Sequence, residues 1–132
     1  MSEILRPEGW GAPKGYSDGI VARGRTVFVS GQIGWDPETQ QIASADFATQ
    51  VRQALANVLE VVASAGGTAE HVTRLTWFVT NRDAYVAART QMGTDYRAMF
   101  GRHYPAMSVV FVQQLLEPQA LVEIEATAVI PD

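Results

Sequence analysis

The stretch from Leu121 to Ile130 alternates between polar and apolar residues, and this alternation limits the folds that the chain can adopt. Successive side chains of a β-strand point to opposite faces of the sheet. One face would carry Glu123, Glu125 and Thr127, and the other Val122, Ile124, Ala126, Ala128 and Ile130. We expect helices to cover the apolar face, which predicts a two-layer α+β sandwich. The polar face then needs a partner of its own, either another subunit or a ligand.

The first predicted helix follows Asp46, a residue type that suits the N-cap position. Apolar residues recur after it at helical spacing, at Phe47, Val51, Leu55, Val58, Leu59 and Val62. Gly66 and Gly67 end the run. The segment is therefore predicted to form an amphipathic helix.

A second helix is predicted from about Asp83 to Phe100, with Asn81 as its cap and Gly101 as its stop. Gly93 interrupts this helix. A glycine inside a helix costs on the order of 1 kcal/mol relative to alanine. The position favours close packing or the approach of a ligand to the backbone, and a tolerated weak spot is an equally good interpretation.

Strands are predicted at residues 19–22, 26–31, 72–80, 106–112 and 121–130, which are rich in β-branched and aromatic residues. The segment 23–25 has a glycine at its centre, so we expect the first two strands to form a hairpin. Prolines and glycines predict an irregular segment over the first eighteen residues. The order is then β-β-α-β-α-β-β, and no linker or repeat divides residues 1–132, which we interpret as a single domain.

The composition excludes several classes of protein. A net charge of −4 and scattered basic residues make nucleic acid an unlikely main partner. The chain has no cysteine and no signal-peptide pattern, and its apolar stretches are shorter than the roughly 20 residues of a membrane span, so we expect a soluble, cytoplasmic protein. His71 and His103 lack paired ligands at metal spacing, and no glycine-rich phosphate loop follows a strand, so neither a metal nor a cofactor is predicted. Hydrophobic residues make up 47% of the chain, which favours an oligomer.

Five short blocks, taken in order, resemble the Rid family, also called YjgF or endoribonuclease L-PSP. They are Tyr16 to Gly19, Val29 to Ile33, Gln50 to Asn57, Tyr104 to Ser108 and Val122 to Ala126. The resemblance implies a chorismate-mutase-like fold and a homotrimer in which the sheets of three subunits face the interior. It also implies three equivalent clefts between neighbouring subunits, each of which would bind a small molecule.

The resemblance also assigns candidate site residues. Tyr16 would close one side of the cleft, Ser30 and Gly31 would offer hydroxyl and backbone contacts, and Glu123 would hold or polarise the attacking water as the catalytic group. A structural role for Glu123, accepting hydrogen bonds from a neighbouring chain, is an equally good interpretation.

Three positions depart from the family pattern. Met107 stands where active deaminases of the family carry the arginine that binds the substrate carboxylate. Gly93 stands where a ligand-contacting asparagine is frequent, and Trp35 replaces a frequent proline and could add an aromatic wall to the cleft. All three are therefore predicted to contact the ligand.

Methionine supplies no hydrogen-bond donor, so a bound carboxylate would stay uncompensated unless another cation reached it. Arg102, His103 and Lys14 are the candidates, although the first two also suit an exposed loop. Without such a replacement, Met107 indicates a more apolar and adaptable cleft, or a packed residue in a cleft that has lost its function.

The sequence thus predicts a deaminase-like hydrolase acting on imines or enamines other than the usual carboxylated ones. A trimer that binds a small molecule without catalysis is the alternative. Endoribonuclease activity, ascribed to some members of the family, is the least favoured because the chain has no basic patch with interleaved aromatic residues.

Overall fold

The computed structural model describes residues 2–132 and contains a four-stranded sheet, a separate two-stranded sheet and three α-helices. The elements are β1 (Ser2–Leu5), β2 (Gly19–Ala22), β3 (Arg25–Ile33), α1 (Phe47–Ser64), β4 (Val72–Val79), α2 (Arg82–Ala87), α3 (Arg89–Phe100), β5 (Ala106–Phe111) and β6 (Val122–Ile130). A short 3₁₀ turn, Ala69–His71, leads into β4.

The four-stranded sheet has the order β3-β6-β4-β5, in which β4 and β5 are parallel and the other pairs are antiparallel. Helix α1 packs on β3 and β6, and α3 packs on α1. Leu55 of α1, Leu75 of β4 and Ile124 of β6 are fully buried in the layer between helices and sheet. Each such side chain contributes roughly 1.5–3 kcal/mol by leaving water. The predicted two-layer α+β sandwich is confirmed.

The alternation along β6 has the predicted effect. Val122, Ile124 and Ala128 are fully buried, whereas Glu125 is exposed and Glu123 and Thr127 are partly exposed. Strand register places Phe28 beside Thr127, and both Val110 and Glu123 beside Phe78. Paired residues share a face of a sheet. We call the face that carries Phe28, Val110, Glu123, Glu125 and Thr127 the open face, because these side chains are exposed or partly exposed.

The N-terminal region differs from the prediction. Ser2–Leu5 forms a strand that pairs with β2, whereas an irregular segment was expected. The predicted hairpin between the first two sequence strands is also wrong, because β3 pairs with β6. Gly24 has a φ of +147°, and a Cβ atom there would collide with the Ile130 carbonyl. The glycine is therefore needed for a close approach to β6.

The second predicted helix is divided at Ala88, not at Gly93, which lies inside α3. The Ala88 N–H donates to the carbonyls of both Ala84 and Tyr85, at 3.1 and 3.2 Å. Shared bonds of this kind are common at helix ends. The prediction of Asn81 as the cap is confirmed, since its side chain accepts a bond from the Ala84 N–H. The element order is therefore β-β-β-α-β-α-α-β-β, with one strand and one helix more than predicted.

Two buried amide side chains of α1 hold the loops around the helix. The Gln50 amide donates to the carbonyls of Ser44 and Gln119, and its oxygen accepts the Leu121 N–H at 2.8 Å. The Asn57 amide donates to the carbonyls of Ile33 and Trp35. These bonds fix the backbone after β3 and before β6.

The turn after α3 is held by Tyr96. Its hydroxyl donates to the His103 carbonyl at 2.7 Å, and its ring stacks with Phe100 and Tyr104 at 4.5 and 5.3 Å between centroids. Burial, and secondarily the nearby Tyr104, raises the pKa of the Tyr96 phenol above its ordinary value. The group therefore remains a hydrogen-bond donor well into the alkaline range.

Gly34→Ala should lower the free energy of unfolding by about 1–3 kcal/mol, the usual cost of an extra methyl in a packed site. The new Cβ would lie 2.6 Å from both Cα and Cβ of Gln50. Gly11→Ala is the control, because a Cβ there meets nothing within 4 Å and both changes restrict the unfolded chain alike. Urea unfolding at one protein concentration measures the difference, and equal stability of the two variants would contradict the packing at Gly34.

Tyr96→Phe should cost about 1 kcal/mol of stability near pH 8, because the His103 carbonyl loses its donor. Because the pKa is raised in the folded state, the contribution of the Tyr96 hydroxyl to the free energy of unfolding is complete below about pH 10. This contribution declines as the pH rises through the folded-state pKa. The stability gap between wild type and variant should therefore narrow from pH 8 to pH 10.5 in urea titrations. A stability gap that stayed constant over this pH range would contradict the burial of the Tyr96 hydroxyl.

Candidate functional site

A cavity of about 450 Å³ lies between the helices α2 and α3 and the edge strand β5. Its wall is mainly aromatic and apolar, with contributions from Tyr16, Trp77, Tyr85, Tyr96, Tyr104 and Met107. Basic side chains also line it: Lys14, Arg89 and Arg97. This combination suits a small molecule with an apolar body and an anionic group.

Three of the predicted ligand-contacting residues, Tyr16, Gly93 and Met107, meet at this cavity. Met107 is partly buried and packs against the core, because it pairs with fully buried Leu75 on the helix side of the sheet. The segment that carries Tyr16 is held against the start of β5. The Ser17 N–H donates to the Pro105 carbonyl at 3.0 Å, and the Ser17 hydroxyl donates to the Tyr104 carbonyl.

Glu123 lies on the open face, together with Gly31. A Cβ atom at Gly31 would collide with the Glu123 carboxylate, so the Glu123 side chain lies directly over the Gly31 backbone. Gly31 belongs to an irregular part of β3, where the register with β6 shifts between Val29 and Gln32. A bulge of this kind redirects side chains locally. The absence of a side chain at Gly31 therefore makes room for the carboxylate.

The other two candidates also lie away from the cavity. Ser30 accepts from the Gln32 amide through its carbonyl at 3.1 Å and its hydroxyl at 3.3 Å. Trp35 is held through its carbonyl by Asn57, and its side chain does not line the cavity.

Within one chain, three of the seven candidates thus line the cavity and four lie away from it. Met107 is level with Leu75 of β4, whereas Glu123 is level with Phe78, three residues further along the strand and on the opposite face. One strand, β4, and the thickness of the sheet separate the two side chains. A single chain therefore does not bring Glu123 to the cavity at Met107.

The candidate cations have different positions. Lys14 lines the cavity, whereas Arg102 is exposed and does not. The His103 ring is engaged elsewhere, with its Nε2 atom 2.6 Å from the Val72 carbonyl oxygen. The sequence interpretation overlooked Arg89 and Arg97 on α3. The signal that could have found Arg97 is Gly93, one helical turn before it.

Other features of the cavity bear on the chemistry that it can support. Trp77 is only 5% exposed, and its indole N–H has no hydrogen-bond acceptor among residues 2–132. Within the same described range, no three His, Cys, Asp or Glu side chains converge as metal ligands would. The cavity itself therefore offers cations, donors and aromatic surfaces for binding.

None of the helices among residues 2–132 is both long and apolar enough to cross a membrane.

Comparison with known proteins identifies the family. Residues 9–130 match the family model described as Endoribonuclease L-PSP. The chain is 35% identical over 133 residues to a 2-iminobutanoate/2-iminopropanoate deaminase of Salmonella typhimurium, covering 98% of each chain. It is 33% identical over 129 residues to a RutC family protein of Pyrococcus horikoshii, covering 97% of this chain and 98% of that one.

Among solved structures, YyfB of Yersinia pestis, described as a Rid family protein of unknown function, superposes with a TM-score of 0.83. The two sequences are 34% identical, and the match covers 98% of each chain. The chain therefore belongs to the Rid family and has the α+β fold of that family.

Proposed function

We propose that this protein hydrolyses the C=N bond of a small imine, or of the imine tautomer of an enamine, and releases ammonia, in a cleft completed by a neighbouring subunit. The observation that carries the proposal is the cavity lined by Tyr16, Gly93 and Met107, three residues that the family resemblance assigns to ligand binding. Relatives named 2-iminobutanoate/2-iminopropanoate deaminase support the reaction class, at 35% identity for one from Salmonella typhimurium and 30% for one from Homo sapiens.

The division of the candidate residues supports a homotrimer. Glu123 lies on the open face, and the Met107 cavity lies on the helix side of the same sheet. The open face also carries Phe28, which is 80% exposed, and Val110, which is 40% exposed. Apolar side chains of this size favour burial against another protein surface. Packing of the open faces in a closed ring would place Glu123 of one subunit near the Met107 cavity of the next.

In this cleft, Glu123 acts as the general base. Its carboxylate takes a proton from water while the water oxygen bonds to the C=N carbon, and the nitrogen gains a proton. The resulting carbinolamine loses ammonia as its hydroxyl becomes a carbonyl group. Water and imine are thus converted to ammonia and a ketone or keto acid. The open position of Gly31 leaves room for the carboxylate and offers a backbone surface beside it.

Met107 determines which substrates are disfavoured. A charge-assisted pair with arginine contributes roughly 1.5–3 kcal/mol, and methionine offers no donor at that place. Small 2-imino acids that rely on a cation in β5 should therefore bind weakly. The aromatic wall favours a substrate with a larger apolar body.

Binding without catalysis is the second candidate function, and the loss of the β5 cation at Met107 favours it. It predicts the same cavity and the same assembly, but no dependence of any turnover on Glu123. Endoribonuclease activity has less support, because the open face carries the carboxylates Glu123 and Glu125 where an RNA backbone would need cations.

Glu123→Gln should reduce imine hydrolysis by about 10²–10⁴-fold, since it removes the general base. Glu125→Gln is the matched control, because Glu125 lies on the same strand and face but is exposed. Ammonia release is measured with imines generated in place by an amino-acid oxidase. Equal rates for the wild type and Glu123→Gln would exclude catalysis by Glu123, and rates no faster than without protein would favour the binding protein.

Phe28→Asp should convert the trimer to monomers, because it places a charge in the centre of the proposed interface. Leu116→Asp introduces the same charge at a residue that is 93% exposed and lies outside the sheet, so it should leave the trimer intact. Light scattering after size-exclusion chromatography gives the mass of each variant. A Phe28→Asp protein that stayed trimeric would contradict assembly through the open face.

A further inference from the structure

The guanidinium group of Arg97 lies over Gly93 in the wall of the cavity. A Cβ atom at Gly93 would be 3.1 Å from Nη1 of Arg97 and 3.8 Å from its Cζ and Nη2 atoms. Side chains of a helix lean towards its N-terminus, so a residue covers the turn that precedes it. Arg97 therefore uses the space that a side chain at position 93 would otherwise fill.

This placement directs a positive charge to the cavity. Both Gly93 and Arg97 line the cavity, on the side opposite β5. Gly93 is the one glycine inside the helix α3, where it carries a cost on the order of 1 kcal/mol relative to alanine. Close approach of the Arg97 guanidinium group explains why a glycine occupies this helical position.

No carboxylate among residues 2–132 forms a salt bridge with Arg97. The salt bridge described within residues 2–132 joins Arg52 and Asp95, at 3.7 Å, and does not involve the cavity. A guanidinium group has five N–H donors in a planar fork that fits a carboxylate. Arg97 is thus available to a ligand.

The other basic residues of the cavity fit this role less well. Arg89 and Lys14 also line it, but neither is among the nearest atoms that a Cβ at a glycine of the chain would meet. Lys14 presents a compact charge without the planar fork of arginine. The geometry therefore distinguishes Arg97 from the other two cations.

Trp77 is a second polar residue of the same wall without a partner. Its indole N–H is buried and has no acceptor among the described residues. A buried donor without a partner needs an explanation, and a ligand atom is one such partner. The cavity thus combines a free cation and a free donor, which suits a ligand with several acceptor oxygens.

We propose that Arg97 is the anion-binding residue of this cavity, and that it binds the carboxylate of an aromatic or bulky apolar 2-keto or 2-imino acid. The anion-binding position has moved from β5, where Met107 stands, to α3. The ligand therefore lies with its carboxylate against α3 and its apolar body along Met107 and the tyrosines. This inference rests on the proposed function for the imine form, but the binding of a 2-keto acid can be tested without any turnover.

Two probes isolate the carboxylate. Phenylpyruvate has the carboxylate, and phenylacetone carries a methyl group in its place. Isothermal titration calorimetry of the protein with each probe gives the ratio of their dissociation constants. We expect the wild type to bind phenylpyruvate about ten- to a hundredfold more tightly than phenylacetone.

Arg97→Gln should remove this preference, and Arg97→Lys should restore part of it. Gly93→Leu should also lower the ratio, because the new side chain displaces the guanidinium group. Arg102→Gln is the control for charge, since Arg102 lies outside the cavity and should keep the wild-type ratio. Because Arg97 is exposed, its replacement should leave the fold intact, which circular dichroism checks.

Several results would overturn the proposal. They are a wild-type ratio near one, no detectable binding of phenylpyruvate at millimolar concentration, an unchanged ratio in Arg97→Gln, or a loss that follows Arg89→Gln instead. A different result would contradict the proposed hydrolysis of imines while leaving the role of Arg97 intact. If the wild type hydrolyses imines no faster than the solution without protein, while Arg97→Gln abolishes the carboxylate preference, the protein binds acids without hydrolysing imines.

Discussion

The buried amide of Gln50 connects the helix α1 to the loop that precedes it and to the loop that precedes β6. It binds three backbone groups, at Ser44, Gln119 and Leu121, and is itself only 1% exposed. A buried amide of this kind is costly unless its donors and acceptor are satisfied. Because Gly34 lies against the Gln50 backbone, the same contact sets where the chain goes after β3. The positions of β3 and β6 relative to the helix, and with them Gly31 and Glu123, depend on this one cluster.

The sequence predicts the parts of the fold that depend on local patterns. The spacing of apolar residues in α1 and the alternation along β6 each describe a surface that must be buried, and both predictions are confirmed. The pairing of β-strands that are distant in sequence leaves no comparable pattern of apolar residues. Nothing near Ser2 indicates that it pairs with Ala22, and Gly24 is equally typical of a hairpin turn and of a close approach to another strand. The break at Ala88 likewise involves no glycine or proline.

The sequence predicts the site residues only where a family motif marks an individual position. Tyr16, Gly93 and Met107 do meet at one cavity, although they come from distant parts of the chain. Sequence alone did not separate them from Glu123, because the face of a strand residue depends on register, and a shift of one residue reverses it. The search for a substitute cation beside Met107 in sequence also overlooked Arg97. A helix places residues four apart in contact, so the relevant neighbour of Arg97 is Gly93.

An anion-binding cation on a helix contributes differently from one on a strand. The change alters the shares of the binding free energy that come from ionic and from apolar contacts. A side chain in β5 would be held by its strand neighbours, whereas Arg97 is exposed and reaches the cavity by a flexible arm. Ordering such an arm costs conformational entropy, and water screens its charge, so the ionic contribution is smaller than at a buried site. The tyrosines, Trp77 and Met107 must then supply more of the affinity through apolar contact. A cavity built in this way selects its ligand mainly by the shape of the apolar body, and the carboxylate chiefly sets its orientation.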